Sequence, residues 1–362
     1  MFRFLKPLLY QLEPEWVHEA TLGVSRAVGS SRRLERLVEI LYDFEDQRLA
    51  VELGPLSFPN PVGLAAGFDK NGVALSLLYA LGFGAVEVGT VTPRPQPGNP
   101  KPRLFRLVED QAIVNRMGFN NHGVEALVAQ VQGRKFGRPL GVNLGKNKDT
   151  PNEQAAQDYC IGLEKAYEVG DYFTINISSP NTVGLRDLQS EESLVPLLKA
   201  ILEHRQKLAN RSGNKKPLWL KVAPDLSQEA LTVVCQIALE LRLDALVLTN
   251  TTLERPGLSS LNGLQSGGLS GKPLGPLSNQ ALDFAFGLTG GKLPLVGVGG
   301  IFSAQDAWAK LALGASLVQV YTGLIFEGPG LVRNIKQGLV ERLNQQRAYG
   351  LPKRVVQSKG TV

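Results

Sequence analysis

The chain has 362 residues, 43% of them hydrophobic and 20% charged, which excludes a disordered or fibrous protein and leaves room for one large domain or two ordinary ones. Its formal charge of +6 comes from basic residues interleaved with acids and without an aromatic-basic platform, so nucleic acid is not expected as a partner, whereas a polyanionic ligand or a membrane surface is. Two cysteines, Cys160 and Cys235, and three scattered histidines, His18, His122 and His204, offer no metal-ligand spacing, which predicts a reduced intracellular protein with no metal site.

No apolar run approaches the ~18 to 20 residues that span a bilayer, and no signal-peptide pattern follows the first residues, so a secreted or transmembrane chain is not expected. Residues 1–50 read instead as short amphipathic helices. Phe4, Leu5, Leu8, Leu9 and Leu12 recur at helical spacing, with Arg3 and Lys6 off that face and Pro7 as a kink or first-turn residue. Trp16, Val17, Ala20 and Val24, then Leu34, Leu37, Val38 and Leu41, repeat the pattern beside Arg26, Arg32, Arg33 and Arg36. Such helices serve either as a cap docked on the domain or as a patch that lies on a membrane.

From about residue 51, short apolar strands alternate with helix-length segments. Strands are expected at 62–66, 85–89, 140–144, 172–178, 218–222, 245–250, 295–299 and 317–322. Amphipathic helices are expected at 73–81, 124–131, 155–169, 193–208, 228–241, 277–288 and 304–313. Continuous apolar strands separated by helices mean parallel pairing with both sheet faces covered. Eight such units predict an α/β fold, a closed (β/α)8 TIM barrel with an N-terminal helical extension, and chemistry at the C-terminal strand ends. An open doubly wound sheet is the alternative, but no G-x-G-x-x-G follows the first strand. The expected division is an extension at 1–50, a barrel at 51–345 and a basic tail at 346–362. Two excursions interrupt the repeat, a proline-rich one at 93–119 and a glycine-rich one at 251–276; each follows a strand's C-terminal end and should lie over the barrel mouth.

The strand ends share a chemistry. The first is followed by Ala66, Gly67, Phe68, Asp69, Lys70 and Asn71; the second ends in Gly89 and Thr90; the third carries Asn143. The fourth runs into Asn176, Ser178, Ser179, Asn181 and Thr182 and must stop at Pro180. Lys221 sits among apolar neighbours in the fifth, where a cation is costly unless it faces the mouth and a ligand. Thr249, Asn250 and Thr251 end the sixth. Gly297, Gly299 and Gly300 after the seventh, and Tyr321, Thr322 and Gly323 after the eighth, place bare backbone amides where barrels often bind a phosphate. No carboxylate pair or histidine-centred triad stands at these ends, which argues against glycoside hydrolysis and serine-protease-like acyl transfer. Neutral donors with two lysines around a phosphate-bearing cofactor fit hydride chemistry on a flavin.

The stretches A-A-G-F-D-K-N-G, N-R-M-G-F-N-N, V-N-L-G-K-N, I-N-I-S-S-P-N-T, T-N-T-T, G-G-L-S-G-K-P-L, G-V-G-G-I and Y-T-G-L, in that order along the chain, closely resemble dihydroorotate dehydrogenase. The resemblance implies an FMN-containing barrel that oxidises dihydroorotate to orotate in pyrimidine biosynthesis. Q-L-E-P-E-W-V-H-E-A-T-L resembles the N-terminal segment of the quinone-dependent, membrane-associated class, and the base position holds serine where the soluble class has cysteine. That class implies a membrane quinone as electron acceptor and a peripheral location on the cytoplasmic side of the cell membrane.

Carried over motif by motif, the resemblance implies FMN contacts from Ala66, Gly67, Phe68, Asp69, Lys70, Thr90, Asn143, Asn176, Lys221 and Thr249, with Gly271, Gly300, Tyr321 and Thr322 at the phosphate end. It implies substrate contacts from Lys70, Asn115, Arg116, Met117, Gly118, Phe119, Asn176, Asn181, Asn250 and Thr251. Ser179 is the catalytic base by the same resemblance, with hydride passing to FMN N5 and Thr182 as a relay; strand alternation alone does not choose Ser179 over Ser178. Phe68 and Val183 are minor departures beside the motifs. Two other readings stay open: a soluble-class enzyme using fumarate or NAD, and a barrel that binds flavin or pyrimidine without turnover.

Overall fold

Eight parallel strands close into a barrel in the computed structural model, which describes residues 2–352 and Arg354. The side chains of Arg3 and Phe4, expected off and on the apolar face of the first helix, lie outside the described residues, as does most of the expected basic tail, at 353 and 355–362.

Three helices come first, α1 (Phe2–Gln11), α2 (Pro14–Gly29) and α3 (Arg32–Tyr42), followed by a hairpin of β1 (Val51–Leu53) and β2 (Leu56–Phe58). The repeat then runs β3 (Val62–Leu64), α4 (Leu75–Ala80), β4 (Ala85–Val91), an inserted hairpin of β5 (Leu104–Leu107) and β6 (Ala112–Asn115), α5 (Val124–Val131), β7 (Leu140–Leu144), α6 (Ala155–Ala166) and β8 (Tyr172–Asn176). It continues through α7 (Glu191–Ser212), β9 (Leu218–Val222), α8 (Gln228–Glu240), β10 (Ala245–Leu248), the inserted β11 (Gly268–Gly271), α9 (Gly275–Thr289), β12 (Leu295–Val298), α10 (Ala304–Ala312), β13 (Ala315–Val320), α11 (Thr322–Glu327) and α12 (Leu331–Gln346). All eight expected strands are the barrel staves, each paired with the next and β13 with β3. Several stop short of their expected ends, at Leu64, Asn176 and Leu248, beyond which only single backbone bonds, such as Ala65 N to Val320 O at 3.0 Å and Asn250 N to Val222 O at 3.0 Å, still reach the neighbouring stave. The polar residues beyond are loop, free to turn into the mouth.

The apolar staves pack outward on the helices, with Val62, Val86, Val142, Ile175, Leu220, Leu246 and Val318 all buried in one continuous core. Inside, the floor is a second cluster: Phe58 and Leu53 of the first hairpin sit against Ala85, Tyr172, Trp219, Ala245 and Leu317. The rings of Tyr172 and Trp219 stack with centroids 3.8 Å apart, which fills the barrel below the mouth.

The two excursions, expected only as lids or walls, form one sheet. β5 pairs antiparallel with β6, and β6 with β11, so segments about 150 residues apart become a single three-stranded cover. Alternation too weak to read through the prolines and glycines hides these strands in the sequence.

α2 and α3 pack against α4, so the extension runs along one side of the barrel. It is fastened where it leaves. Asp43 accepts from Lys336 Nζ at 2.5 Å and from Arg138 at 2.6 Å, and Lys336 is wholly buried. Burial alone would raise the Asp43 carboxyl, but hydrogen bonds from Lys336 and Arg138 hold it below the usual range. Its contribution to stability is therefore present above the ordinary carboxylate pKa and lost as pH falls through the lowered value. Asp43→Ala strands two cations and should cost about 3–5 kcal/mol. Lys336→Met leaves Asp43 paired with Arg138 and should cost clearly less. Urea midpoints of the two variants test this; equal losses would remove Asp43 from the centre of the clasp.

Candidate active site

The strand ends converge on one cavity at the C-terminal mouth. β3 delivers Ala66, Gly67 and Lys70; β4, Thr90; β8, Asn176, Ser179 and Asn181; β9, Lys221; and β10, Thr249, Asn250 and Thr251. The hairpin cover adds Asn115, Met117, Gly118 and Phe119, and β11 adds Ser270 and Gly271. Gly299, Gly300, Tyr321, Thr322 and Gly323 line the side beneath β12 and β13. The two lysines share this rim with Asn115, Asn176, Asn181 and Asn250. Asn71 is elsewhere, accepting from the His122 amide.

A buried hydrogen-bond network sets the floor. Glu87, with no exposure to solvent, accepts from Asn143 Nδ2 at 2.7 Å and from Gln319 Nε2 at 2.8 Å. Asn143 Oδ1 in turn accepts from Thr90 Oγ1 at 2.5 Å and Asn176 Nδ2 at 3.1 Å. Asn176 Oδ1 then accepts from Ser178 Oγ at 2.8 Å and from Asn250 Nδ2 at 3.3 Å. Four strands are thereby tied by side chains as well as by backbone.

The two serines part company in this network. Ser178 is fully buried; its Oγ donates to Asn176 and accepts from Asn250 Nδ2 at 2.9 Å. Ser179 faces the cavity, and its Oγ accepts only a 3.3 Å bond from the Asn181 amide among the side-chain bonds described. Thr182 is buried with a hydroxyl that has no protein partner. The loop is braced from outside by Arg186, which donates to Ser178 O at 3.0 Å and Thr251 O at 2.9 Å and pairs with Asp225 at 2.5 Å.

Two cations meet the cavity under strain of burial. Burial pushes the Lys70 ammonium down to about 8, helped by the Arg103 charge and opposed by Glu15 and Asp69. Lys221 is lowered by burial and supported by the Glu87 carboxylate. Each gains from an anionic or electron-rich ligand, which would replace the lost water.

The phosphate-sized corner is built from close backbone approaches. Gly300 lies at φ +73° against the Gly275 backbone that opens α9, and Gly323 lies against the Ile301 carbonyl, so neither has room for a Cβ. Ser270 Oγ and Thr322 Oγ1 stand 2.8 Å apart on the same wall. Backbone amides at two helix starts beside two hydroxyls suit a phosphate, and the cavity leading from them to Lys221, lined in part by amides and hydroxyls, suits a flavin.

Behind the mouth lies a second cavity, of about 300 Å³ and mostly apolar. α1 and α2 supply Leu9, Tyr10, Val17, His18 and Thr21; α4 and the residue that ends it supply Leu77, Leu78 and Leu81; the hairpin, Leu104, Arg106 and Ile113; and α11, Leu324 and Ile325. α3 supplies none of its lining. Tyr321 lines both cavities, and Phe68 stands edge-on to it at 6.0 Å and edge-on to His18 at 5.1 Å. Burial, then the Lys70 charge, push His18 down to about 4, so its ring is neutral at pH 7.

Four of the expected contact residues do not line the mouth cavity. Phe68 faces the second cavity, and Asn143 lies beneath the floor. Asp69 caps the chain before α4, accepting from the Val73 and Ala74 amides at 3.0 and 2.7 Å. Arg116 turns outward over the Phe105 ring and bonds Gln265 and Ser266. Conversely, Glu87, Gln319, Ser270 and Arg186 were not singled out in the sequence. An acid in the run A-V-E-V of a buried strand was the one available signal, of the same kind that marked Lys221.

Residues 48–343 match the family described as Dihydroorotate dehydrogenase. The chain is 49% identical over 345 residues to a protein of Gloeobacter violaceus named dihydroorotate dehydrogenase (quinone), covering 95% of each. A protein of that name from Azotobacter vinelandii is 48% identical over 340 residues, 94% of this chain and 96% of the relative. Among solved structures, the fold superposes on DHODH from Eimeria tenella in complex with ferulenol, with TM-score 0.86 and 38% identity over 95% of this chain and 97% of that one.

Thr322 opens α11, where an acidic residue favours the helix. Thr322→Asp should therefore keep the fold yet repel a phosphate from the corner, whereas any side chain at Gly300 would disturb the backbone as well. We expect the variant to purify with at most about a tenth of the wild-type flavin, a loss of the order produced by one misplaced charge, read from its visible absorbance. Full flavin content would put the phosphate elsewhere.

Proposed function

Because this chain belongs to the dihydroorotate dehydrogenase family and is an oxidoreductase, we propose that it oxidises (S)-dihydroorotate to orotate on FMN and passes the electrons to a quinone. The observation that carries this reading is the contact of two unlike cavities at Tyr321 and Phe68, one lined with lysines, amides and hydroxyls, the other mostly apolar. A polar anionic substrate and a lipid-soluble acceptor need such a pair. An acceptor such as fumarate or NAD would not use a cavity walled by leucines and a neutral histidine.

FMN would be held with its phosphate against Gly271, Gly300, Tyr321 and Thr322 and its ring near Ala66, Gly67, Thr90, Thr249 and Lys221. When bound, it supplies the hydride acceptor. The chain's own residues do the rest. Lys70, Asn115, Asn176, Asn181, Asn250 and Thr251 offer donors and acceptors that match the edge of a pyrimidine and its carboxylate. Ser179, facing the cavity, takes the C5 proton, and the unpartnered hydroxyl of Thr182 is the next station for it. Ser178 is committed to the floor and holds Asn176 and Asn250 in place. Lys221 offsets negative charge arriving beside it, with Glu87 as its buried counter-charge.

The extension is the proposed route for the quinone and the proposed contact with the cytoplasmic face of the cell membrane. Leu5, Leu8, Trp16, Val24, Leu34, Leu37, Ile40 and Leu41 are exposed along it, beside Arg32, Arg33 and Arg36. No helix among the described residues is long and apolar enough to cross a membrane. Deleting residues 1–45 is not a clean test of this role, since it would remove the carboxylates that pair Arg103, Arg138 and Lys336.

The purified protein should be yellow, bleach on anaerobic addition of dihydroorotate and recover its colour with a short-chain quinone. A protein that keeps its spectrum through the first addition is not this enzyme. Ser179→Ala should slow bleaching by about 10² to 10⁴, the usual worth of a positioned base, with flavin content unchanged. Ser178→Ala should mainly raise the KM for dihydroorotate. The reverse pattern would move the base to Ser178. Leu37→Glu with Ile40→Glu should abolish binding to anionic liposomes and leave bleaching at the wild-type rate; retained binding would place the membrane contact elsewhere.

A further inference from the structure

α2 has an unusual buried side. Its apolar Trp16 and Val24 are exposed, whereas its two buried residues are Glu15 and Ser25. Glu15 reaches a guanidinium 88 residues away: Arg103 Nη2 donates to Oε1 at 2.7 Å and Nε to both carboxylate oxygens at 3.2 Å. Replacing a buried ion pair by apolar groups is often neutral or stabilising, so such a pair is weak evidence of a stabilising role. What it fixes is position.

Arg103 is already engaged on its other side. Its Nη1 donates to Pro97 O at 2.6 Å and to Asn99 O at 2.8 Å, which folds residues 97–103 around the guanidinium. Asn99, so held, donates from Nδ2 to Arg116 O at 3.0 Å and Asn181 O at 3.2 Å, and its own amide donates to Met117 O at 3.0 Å. Arg116 to Met117 belong to the hairpin wall of the mouth cavity, and Asn181 to the serine loop. One amide side chain therefore spans the two loops that close on the substrate.

We propose that Glu15 and Arg103 are positioning residues of the dihydroorotate site, through which the N-terminal extension sets the spacing between the hairpin wall and the serine loop. This deepens the proposed function and rests on it. The extension is then part of the substrate half of the enzyme as well as the wall of the apolar cavity.

The arrangement also acts on Lys70. The charged and titratable groups that face it are Arg103 from the cover, Glu15 and His18 from α2, and Asp69 from its own loop. Burial and Arg103 push its ammonium down to about 8, and Glu15 works against them. With Glu15 neutral, Lys70 loses its proton at lower pH, and an anionic ligand is released earlier as pH rises.

The test uses full-length flavin-loaded protein with Glu15→Gln and, separately, Asn99→Ala, which leaves the ion pair intact. Orotate is titrated from pH 6 to 9, about two units below and one above the lysine value of about 8, and followed by the change in flavin absorbance. Re-oxidation by a short-chain quinone is measured alongside. Both variants should raise the orotate Kd by about tenfold, the effect of a small misplacement, with re-oxidation within about twofold of wild type. Only Glu15→Gln should also move the alkaline loss of binding to lower pH. Wild-type orotate affinity in both variants overturns the inference. So does an equal loss of orotate binding and re-oxidation in Glu15→Gln, which marks general damage to α2. If Glu15→Gln does not fold, Asn99→Ala decides by itself. A wild-type protein that shows no orotate response refutes the proposed function instead.

Discussion

Glu87 sits at the centre of the barrel with no access to solvent, and both its oxygens are taken, one by Asn143 and one by Gln319. A carboxylate there is tolerated only if every neighbour is in place, because an unpaired buried charge costs several kcal/mol, roughly the margin of a whole domain. That requirement propagates upward. Asn143 must face Glu87, so its oxygen must face Thr90 and Asn176; Asn176 must then turn its own oxygen to Ser178 and Asn250. The floor of the mouth is consequently rigid before any ligand arrives, which is what preorganised catalysis asks of its supports. It also explains why one of two adjacent serines is bound into the floor and the other is left facing the cavity.

The N-terminal extension reads both as a docked cap and as an exposed apolar surface, and its contacts reconcile the two. It is tied to the barrel by ion pairs at both ends, Glu15 with Arg103 beside the mouth and Asp43 with Lys336 and Arg138 where the chain turns toward β1. With charge fixing its position, its leucines are not all needed for docking. Leu9 and Val17 wall the apolar cavity, while Leu5, Leu8, Leu34 and Leu37 point outward. An exposed apolar face of this kind is normally a site of contact.

Two cavities of opposite character, separated by aromatic rings, divide the proposed reaction in space. A Cβ at Gly67, whose φ is +106°, would stand 3.2 Å from the Tyr321 ring, so the backbone passes close to the ring that both cavities share. Burial disfavours charge on both His18 and Lys70: it takes His18 down to about 4, neutral at pH 7, whereas Lys70, starting higher and supported by the Glu15 and Asp69 charges, comes down only to about 8 and keeps its proton.

The alternation of apolar runs with amphipathic segments determined the eight staves and the barrel, because period and burial are local properties of a parallel strand. The residues at the strand ends likewise marked the mouth, Lys70, Asn176, Lys221, Asn250 and Gly300 among them, since cations and amides repeated at the ends of many buried strands converge on one rim once the barrel closes. What the tertiary structure alone decided were the long-range partners. Nothing near Glu15 announces Arg103, nothing in A-V-E-V announces Gln319, and the prolines of one excursion conceal strands that pair with the glycines of another. The choice between Ser178 and Ser179 is of the same kind. Adjacent residues with identical side chains differ only in which way the loop turns, and that is set by hydrogen bonds to Asn250 and Arg186, which reach the serines only when the barrel has closed.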